Sequence, residues 1–239
     1  MVLVMENVKN FRKVELVIFD MDGTIFDTER LGIECWERAF QQLGIVIPEE
    51  ALYRKIGLNS KDSKKLLEEE SGVKFDYDEV KRLKRKIIKE FIEKNGVPVK
   101  KGFFELIDYL KKNGIKTAMA TSRSKEMTEY YLQKAGEDFH QYFDFIVTGD
   151  LIEKGKPNPD IFLYASKELE ILPENSVVIE DSLNGIQAGI AANMFVIMIP
   201  DLVKPNKEIE NKVAVLESLD EAIKLIKNLN LDIHLSIYK

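Results

Sequence analysis

Short apolar, β-branched runs recur along the chain, and amphipathic helical stretches separate them. The runs are VELVIF (14–19), IKTAMA (115–120), FDFIV (143–147), SVVIED (176–181) and MFVIMI (194–199). Runs of this length with no polar alternation are buried on both faces, as strands are when helices cover both sides of a parallel sheet. The pattern therefore predicts an α/β fold: a doubly wound, mainly parallel, Rossmann-like sheet. KVAVL (212–216), followed by the helical SLDEAIKLIKNL, is expected to add an edge strand and a closing helix.

Residues 20–114 separate the first two runs, far more than the roughly dozen residues a crossover needs. Residues 28 to about 97 show helical rather than strand periodicity, in RLGIECWERAFQQLGI, SKKLLEEESG and YDEVKRLKRKIIKEFIEKNG. The last of these stops at Asn95-Gly96, a C-cap signal. The expected organisation is a core domain of residues 1–27 plus 98–239 carrying an inserted, all-helical cap domain of residues 28–97. Linkers are expected near Asp27-Thr28 and at 97–101.

Composition narrows the class. A chain of 239 residues with 45% hydrophobic content can bury a full core. A net charge of -6 argues against a nucleic-acid footprint, so small molecules are the expected partners and a monomer is the default state. The single cysteine, Cys35, excludes an intrachain disulfide and suits a reducing compartment, with the cytoplasm expected. Its setting, GIECWERAF, has helical periodicity and points to core packing. The start, MVLVMENVKN, is too short in apolar residues for a secretory segment, and no run approaches the roughly 18 apolar residues of a membrane span.

The chemistry gathers where strands end. Ligands of open α/β sheets bind beyond the carboxyl ends of the strands, and the first run is followed by Asp20 and Asp22. Residues i and i+2 of extended chain project to one side, and Gly23 lets the backbone turn there. Two neighbouring carboxylates favour a cation, and an oxygen-only donor set suits Mg²⁺. A calcium loop requires Gly at its sixth position and Glu at its twelfth, which counted from Asp20 are Ile25 and Leu31. A solvent-facing Asp-x-Asp-Gly turn remains the bland alternative. The second run ends in Thr121 and Ser122 ahead of a helix expected near Ser124, a phosphate-binding arrangement or a simple cap. The fourth run ends in Glu180 and Asp181, then enters a helix whose Gly185, Ala188, Gly189 and Ala192 allow close packing on the sheet. EKGKPNPDIF supplies Lys154 and Lys156, though its spacing from Gly149 does not fit a P-loop.

Four of these stretches, DMDGT (20–24), ATS (120–122), KGKP (154–157) and EDS (180–182), occur in the order of the motifs of the haloacid dehalogenase-like phosphotransferases, which the chain resembles over nearly its whole length. The helical insert resembles the type-one cap of that family, in the branch of β-phosphoglucomutase and small sugar-phosphate phosphatases. The resemblance implies that Asp20 is a nucleophile forming an aspartyl-phosphate and that Asp22 is the general acid and base, its backbone carbonyl also on Mg²⁺. It implies Asp181 as a further metal ligand, with Glu180 binding directly or through water. Thr121 and Lys156 are implied to hold the phosphoryl group, while the Ser122 backbone and Gly23 line its cradle. The family's dehalogenases lack the second Asp, so Asp22 argues against dehalogenation.

The expected activity is a Mg²⁺-dependent phosphatase acting on a small phosphorylated metabolite, a sugar or polyol phosphate. β-Phosphoglucomutase is the alternative, but that branch carries a His five residues after the hinge Asp, where this chain has Gly32. His140 and His234 are read as structural or surface residues. A non-catalytic metabolite-binding regulator is a third reading, which the complete set of motif residues disfavours. Among Lys84, Arg85 and Lys86, most charges are expected to be solvated opposite an apolar stripe of Leu83, Ile87 and Phe91. By resemblance to the specificity loop of the type-one cap, the loop at 57–63 is expected to face the active site.

Overall fold

A computed structural model describes residues 13–56, 58 and 60–236, with side chains through 231. Among the described residues one sheet of six parallel strands runs through the core: β1 (Leu16–Phe19), β2 (Lys116–Ala120), β3 (Phe145–Val147), β4 (Ser176–Glu180), β5 (Phe195–Met198) and β6 (Ala214–Val215). Their order is β3-β2-β1-β4-β5-β6, with strand order reversing beside β1. Each strand is a residue or more shorter than its apolar run, and KVAVL yields only a two-residue edge strand. Every residue of β1, β4 and β5 is buried, which is why these runs contain no polar alternation.

Register matters more than length for function. Phe19 pairs with Met119 on one side and with Ile179 on the other. The residues that follow in all three strands therefore emerge at the same edge of the sheet. Helices α5 (Phe103–Lys112), α6 (Lys125–Ala135), α7 (Asp160–Glu168), α8 (Leu183–Ala191), α9 (Lys207–Glu210) and α10 (Glu221–Ser236) complete this unit. Helix α8 lies close on the sheet because a Cβ at Gly189 would stand only 2.7 Å from Val196 Cγ2. A second layer of the core is aromatic, with Phe103 stacked on Phe139 at 5.3 Å and edge-on to Phe19 at 6.0 Å. Buried side chains of this size stabilise by about 1.5–3 kcal/mol each.

The chain divides into two compact units at Asp27/Thr28 and Val97/Pro98. The second consists of α1 (Thr28–Gln42), α2 (Glu49–Arg54), α3 (Ser60–Ser71) and α4 (Tyr77–Asn95). Helix α2 is absent from the sequence reading because six residues are too few to display a helical period. Of the loop expected at 57–63, Gly57 and Asn59 lie outside the described residues, and Ser60 already begins α3. Asp76 caps α4 by accepting from the Asp78 and Glu79 N–H groups, and Gly96 ends it at a φ of 76°. Val80, Ile87, Ile88 and Ile92 form its buried face, so the apolar stripe runs one position away from Leu83 and Phe91, which are half-buried. Trp36 stacks on Tyr77 at 5.5 Å, Phe40 meets Phe75 edge-on at 5.0 Å, and Cys35 is also buried in α1. Arg85 and Lys86 are exposed while Lys84 is half-buried.

Where the chain leaves and re-enters the core, its two segments are stitched together. The Asp27 N–H donates to Pro98 O at 2.9 Å, the Lys100 N–H to Ile25 O at 2.8 Å, and Lys100 Nζ pairs with Asp201 at 2.9 Å. No helix among the described residues is long and apolar enough to cross a membrane.

Candidate active site

Asp20 follows β1 immediately, and its N–H donates to Ile179 O at 3.0 Å, so pairing with β4 sets its main chain. Its carboxylate receives Lys156 Nζ in a short contact, and the same ammonium donates to Glu180 Oε1 at 2.8 Å and to Ala120 O at 3.2 Å. All three ammonium protons are thus committed to groups at the ends of β1, β2 and β4. The pairing makes the burial of Lys156 tolerable, since its side chain is only 6% exposed. Lys154, from the same motif, is exposed.

Burial pushes the Asp20 carboxyl up, to about 8, with the charges of Glu180 and Asp22 acting in the same direction and Lys156 opposing them. Burial works against the Lys156 ammonium too, but Asp20 and Glu180 outweigh it and raise its pKa. The cluster is therefore short of positive charge.

Glu180 has both oxygens in use. Its Oε2 accepts from the N–H of Asp181 at 2.9 Å, the N–H of Ser182 at 2.8 Å and the Ser182 hydroxyl at 2.9 Å. The Ser182 hydroxyl in turn accepts from the Gly185 N–H at the start of α8. Glycine is required at 185, since a Cβ there would fall 1.6 Å from Glu180 Oε1. Gly23 is equally constrained: its φ is +79° and a Cβ would fall 2.2 Å from Asp181 Oδ2. Thr24 Oγ1 donates to Asp181 Oδ1 at 3.3 Å.

Oxygens of Asp20, Glu180 and Asp181 lie within 4.8 Å of one another, all on buried residues. Three buried acids, an all-oxygen donor set and a shortage of positive charge together fit a small hard cation such as Mg²⁺.

From β2 the structure brings Thr121, buried, and Ser122, exposed, to this edge. Ser124 caps α6 by accepting from the Met127 N–H. Asp22 is placed differently from Asp20. Arg123 grips it with two bonds, Nε to Oδ2 at 2.6 Å and a terminal nitrogen to Oδ1 at 2.7 Å. The sequence reading did not single out Arg123, because a lone Arg after Thr-Ser carries no spacing signal and its partner lies 101 positions away. His140 binds Glu129 at 2.8 Å on the surface, remote in role from the acids. The side chain of His234 lies outside the described residues.

A model of the haloacid dehalogenase-like hydrolase family matches residues 17–199, which include Asp20, Asp22, Thr121, Lys156, Glu180 and Asp181. The chain is 32% identical over 185 residues to a phosphorylated carbohydrates phosphatase of Thermotoga maritima, covering 76% of this chain and 82% of that one. A crystal structure from Thermotoga maritima described as a β-phosphoglucomutase superposes with a TM-score of 0.75 at 29% identity, covering 90% of this chain and 99% of that one. CbbY of Rhodobacter sphaeroides, solved in complex with xylulose 1,5-bisphosphate, superposes with a TM-score of 0.67 at 26% identity, covering 87% and 96%.

Proposed function

As the chain belongs to the haloacid dehalogenase-like hydrolase family and is a phosphoric monoester hydrolase, we propose that it is a Mg²⁺-dependent phosphatase of small sugar or polyol phosphates, working through an aspartyl-phosphate on Asp20. The observation that carries this reading is the buried Asp20–Lys156–Glu180 cluster, with Asp181 in reach of the same cation position. Phosphoryl transfer is mainly positioning and neutralisation of charge spread over three oxygens, and this cluster offers a nucleophile, a fixed ammonium and acids for a metal.

In the first step an Asp20 carboxylate oxygen bonds to phosphorus while the bond from phosphorus to the leaving oxygen breaks, and Asp22 delivers a proton to that oxygen. In the second, Asp22 takes a proton from water as the water oxygen bonds to phosphorus. The Asp20–phosphorus bond then breaks and inorganic phosphate departs. Lys156 and the Thr121 hydroxyl hold the phosphoryl oxygens, and the Ser122 backbone with Gly23 lines the cradle. Asp20, Asp181 and the Asp22 backbone carbonyl would hold Mg²⁺, which supplies positive charge to the phosphoryl oxygens when bound. Glu180, with both oxygens engaged, positions Lys156 and the Asp181–Ser182 turn.

The relatives support a carbohydrate-like substrate, one being a phosphorylated carbohydrates phosphatase and another having a sugar bisphosphate bound. Gly32 disfavours the mutase alternative, since a glycine offers no acid or base at that position of α1. The test is phosphate release with Mg²⁺ across a panel of sugar and polyol phosphates that includes β-glucose 1-phosphate. Strong release from one class is the expected result. Conversion of β-glucose 1-phosphate to glucose 6-phosphate with little release would establish a mutase instead, and no turnover of any phosphate ester would overturn both.

A further inference from the structure

Thr148, Gly149 and Asp150, which follow β3, take no part in the proposed chemistry, yet they are fastened to the segment that does. Residues 121–125 run from the end of β2 to the first turn of α6. The Thr121 N–H donates to Val147 O at 3.0 Å, and the Gly149 N–H donates to Arg123 O at 2.7 Å. The Lys125 N–H donates to both carboxylate oxygens of Asp150 at 3.2 Å. The gap between the two segments is fixed as well. A Cβ at Gly149 would fall 2.4 Å from Ser122 O and 2.8 Å from the carbonyl carbon, so two backbones meet where only glycine fits.

Asp150 is itself held in place. The hydroxyl of Thr148, a buried residue, donates to Asp150 Oδ1 in a short bond. This donor and the Lys125 N–H keep the Asp150 carboxyl below the usual carboxylate range. The carboxylate therefore sits as an anion at the N-terminus of α6, where Ser124 already accepts from the Met127 N–H. Backbone N–H groups and the helix dipole are what attract phosphate to such a terminus, and Asp150 engages both. At the other end of the segment, Thr121 Oγ1 accepts from the Arg123 N–H at 3.1 Å, which leaves the Thr121 proton to donate.

Resting on the phosphatase reading, we infer that Asp150 is a positioning residue that fixes residues 121–125, so that the Thr121 hydroxyl and the Ser122 N–H face the phosphorus attacked by Asp20. Thr148 orients it, and the Gly149 contact sets the distance. By filling the N-terminus of α6, Asp150 also keeps the phosphoryl group at the end of β2 instead of letting it slip toward the helix. It supplies no ligand to the phosphoryl group or the metal. Its influence is on geometry, where a misplacement of about 1 Å costs on the order of a hundredfold in rate.

The test is phosphate release on the best substrate with Mg²⁺, with kcat and KM determined separately and urea midpoints measured on the same variants. Asp150→Ala should lower kcat by about tenfold to a hundredfold and change KM by less than about threefold, since Lys156 and Mg²⁺ still attract the phosphate. Asp150→Asn, which keeps an acceptor for the Lys125 N–H, should recover most of that loss. Gly149→Ala leaves Asp150 intact but pushes on the Ser122 carbonyl, and should lower kcat at least as much as Asp150→Ala. If Asp150→Ala does not fold, Thr148→Val carries the test with a smaller fall in kcat. A lower urea midpoint with kcat unchanged would overturn the inference and make Asp150 a helix cap alone, with the phosphatase reading intact. A rise in KM with kcat unchanged would overturn it as well, because the segment would then govern binding and not geometry. Absence of turnover by the unaltered enzyme on every ester would overturn the phosphatase reading itself.

Discussion

Lys156 is the residue on which the cluster turns. It is a buried ammonium between two buried carboxylates, and removing one partner of such a group leaves uncompensated charge in a low-dielectric setting. Lys156→Met should therefore cost about 3 kcal/mol in urea denaturation without divalent metal. Adding Mg²⁺ should recover part of that loss, since another cation then faces the acids. Unchanged stability would mean that the acids are neutralised by some other group. Lys156 drew notice in the sequence because its motif stands in a fixed order with three others near strand ends, and the structure places it against Asp20 and Glu180, while its part in catalysis belongs to the proposal. Arg123 did not, since pairing across the sheet is a product of register, and neither residue's neighbours announce it.

At the level of elements, the sheet was legible from apolar runs, while its ends and its fastenings were not. Asp144, just before β3, is one such fastening. It accepts from the Thr117 N–H at 2.9 Å and from Lys116 and Lys111 at 3.0 and 3.2 Å, tying β3 to β2. Burial alone would raise its pKa, but these donors outweigh burial and lower it to about 2. A carboxyl lowered on folding stabilises above its unfolded pKa of about 4, and that contribution is lost as pH falls toward about 2. The site is largely open to solvent, so the discounted contribution is about 1 kcal/mol. Asp144→Asn should cost that much at pH 7 and only a small part of it near pH 2, in denaturant midpoints measured at both. An equal cost at both would show that the charge plays no part. Helix α2 escaped the sequence reading for a related reason, in that six residues present too little periodicity to be seen apart from the loops beside them.

Over the whole molecule, the sequence pattern separated core from insert because helical periodicity interrupts the strand series at Thr28 and gives way again beyond Val97, where the compact units also divide. Asp20, Thr121, Glu180 and Asp181, at the ends of β1, β2 and β4, and Lys156 in the loop before α7 all lie in the core unit. A metal held there binds only the folded state, so it adds to stability through mass action. Mg²⁺ at a hundred times its dissociation constant should raise the unfolding free energy by about 2.7 kcal/mol. Asp181→Asn should abolish most of that increase, and a chelator should reverse it in the unaltered protein. A Mg²⁺ effect that survives the substitution would place the ion elsewhere.

Asp20 as the nucleophile is the claim on which the remainder depends, and its most direct test is phosphate release by Asp20→Asn on the best substrate with saturating Mg²⁺. Asparagine preserves the shape of the side chain but cannot form the acyl phosphate. The predicted result is a loss of turnover of at least about a thousandfold with the fold retained. Turnover close to that of the unaltered enzyme would contradict the covalent mechanism and the assignment of the cluster as its site.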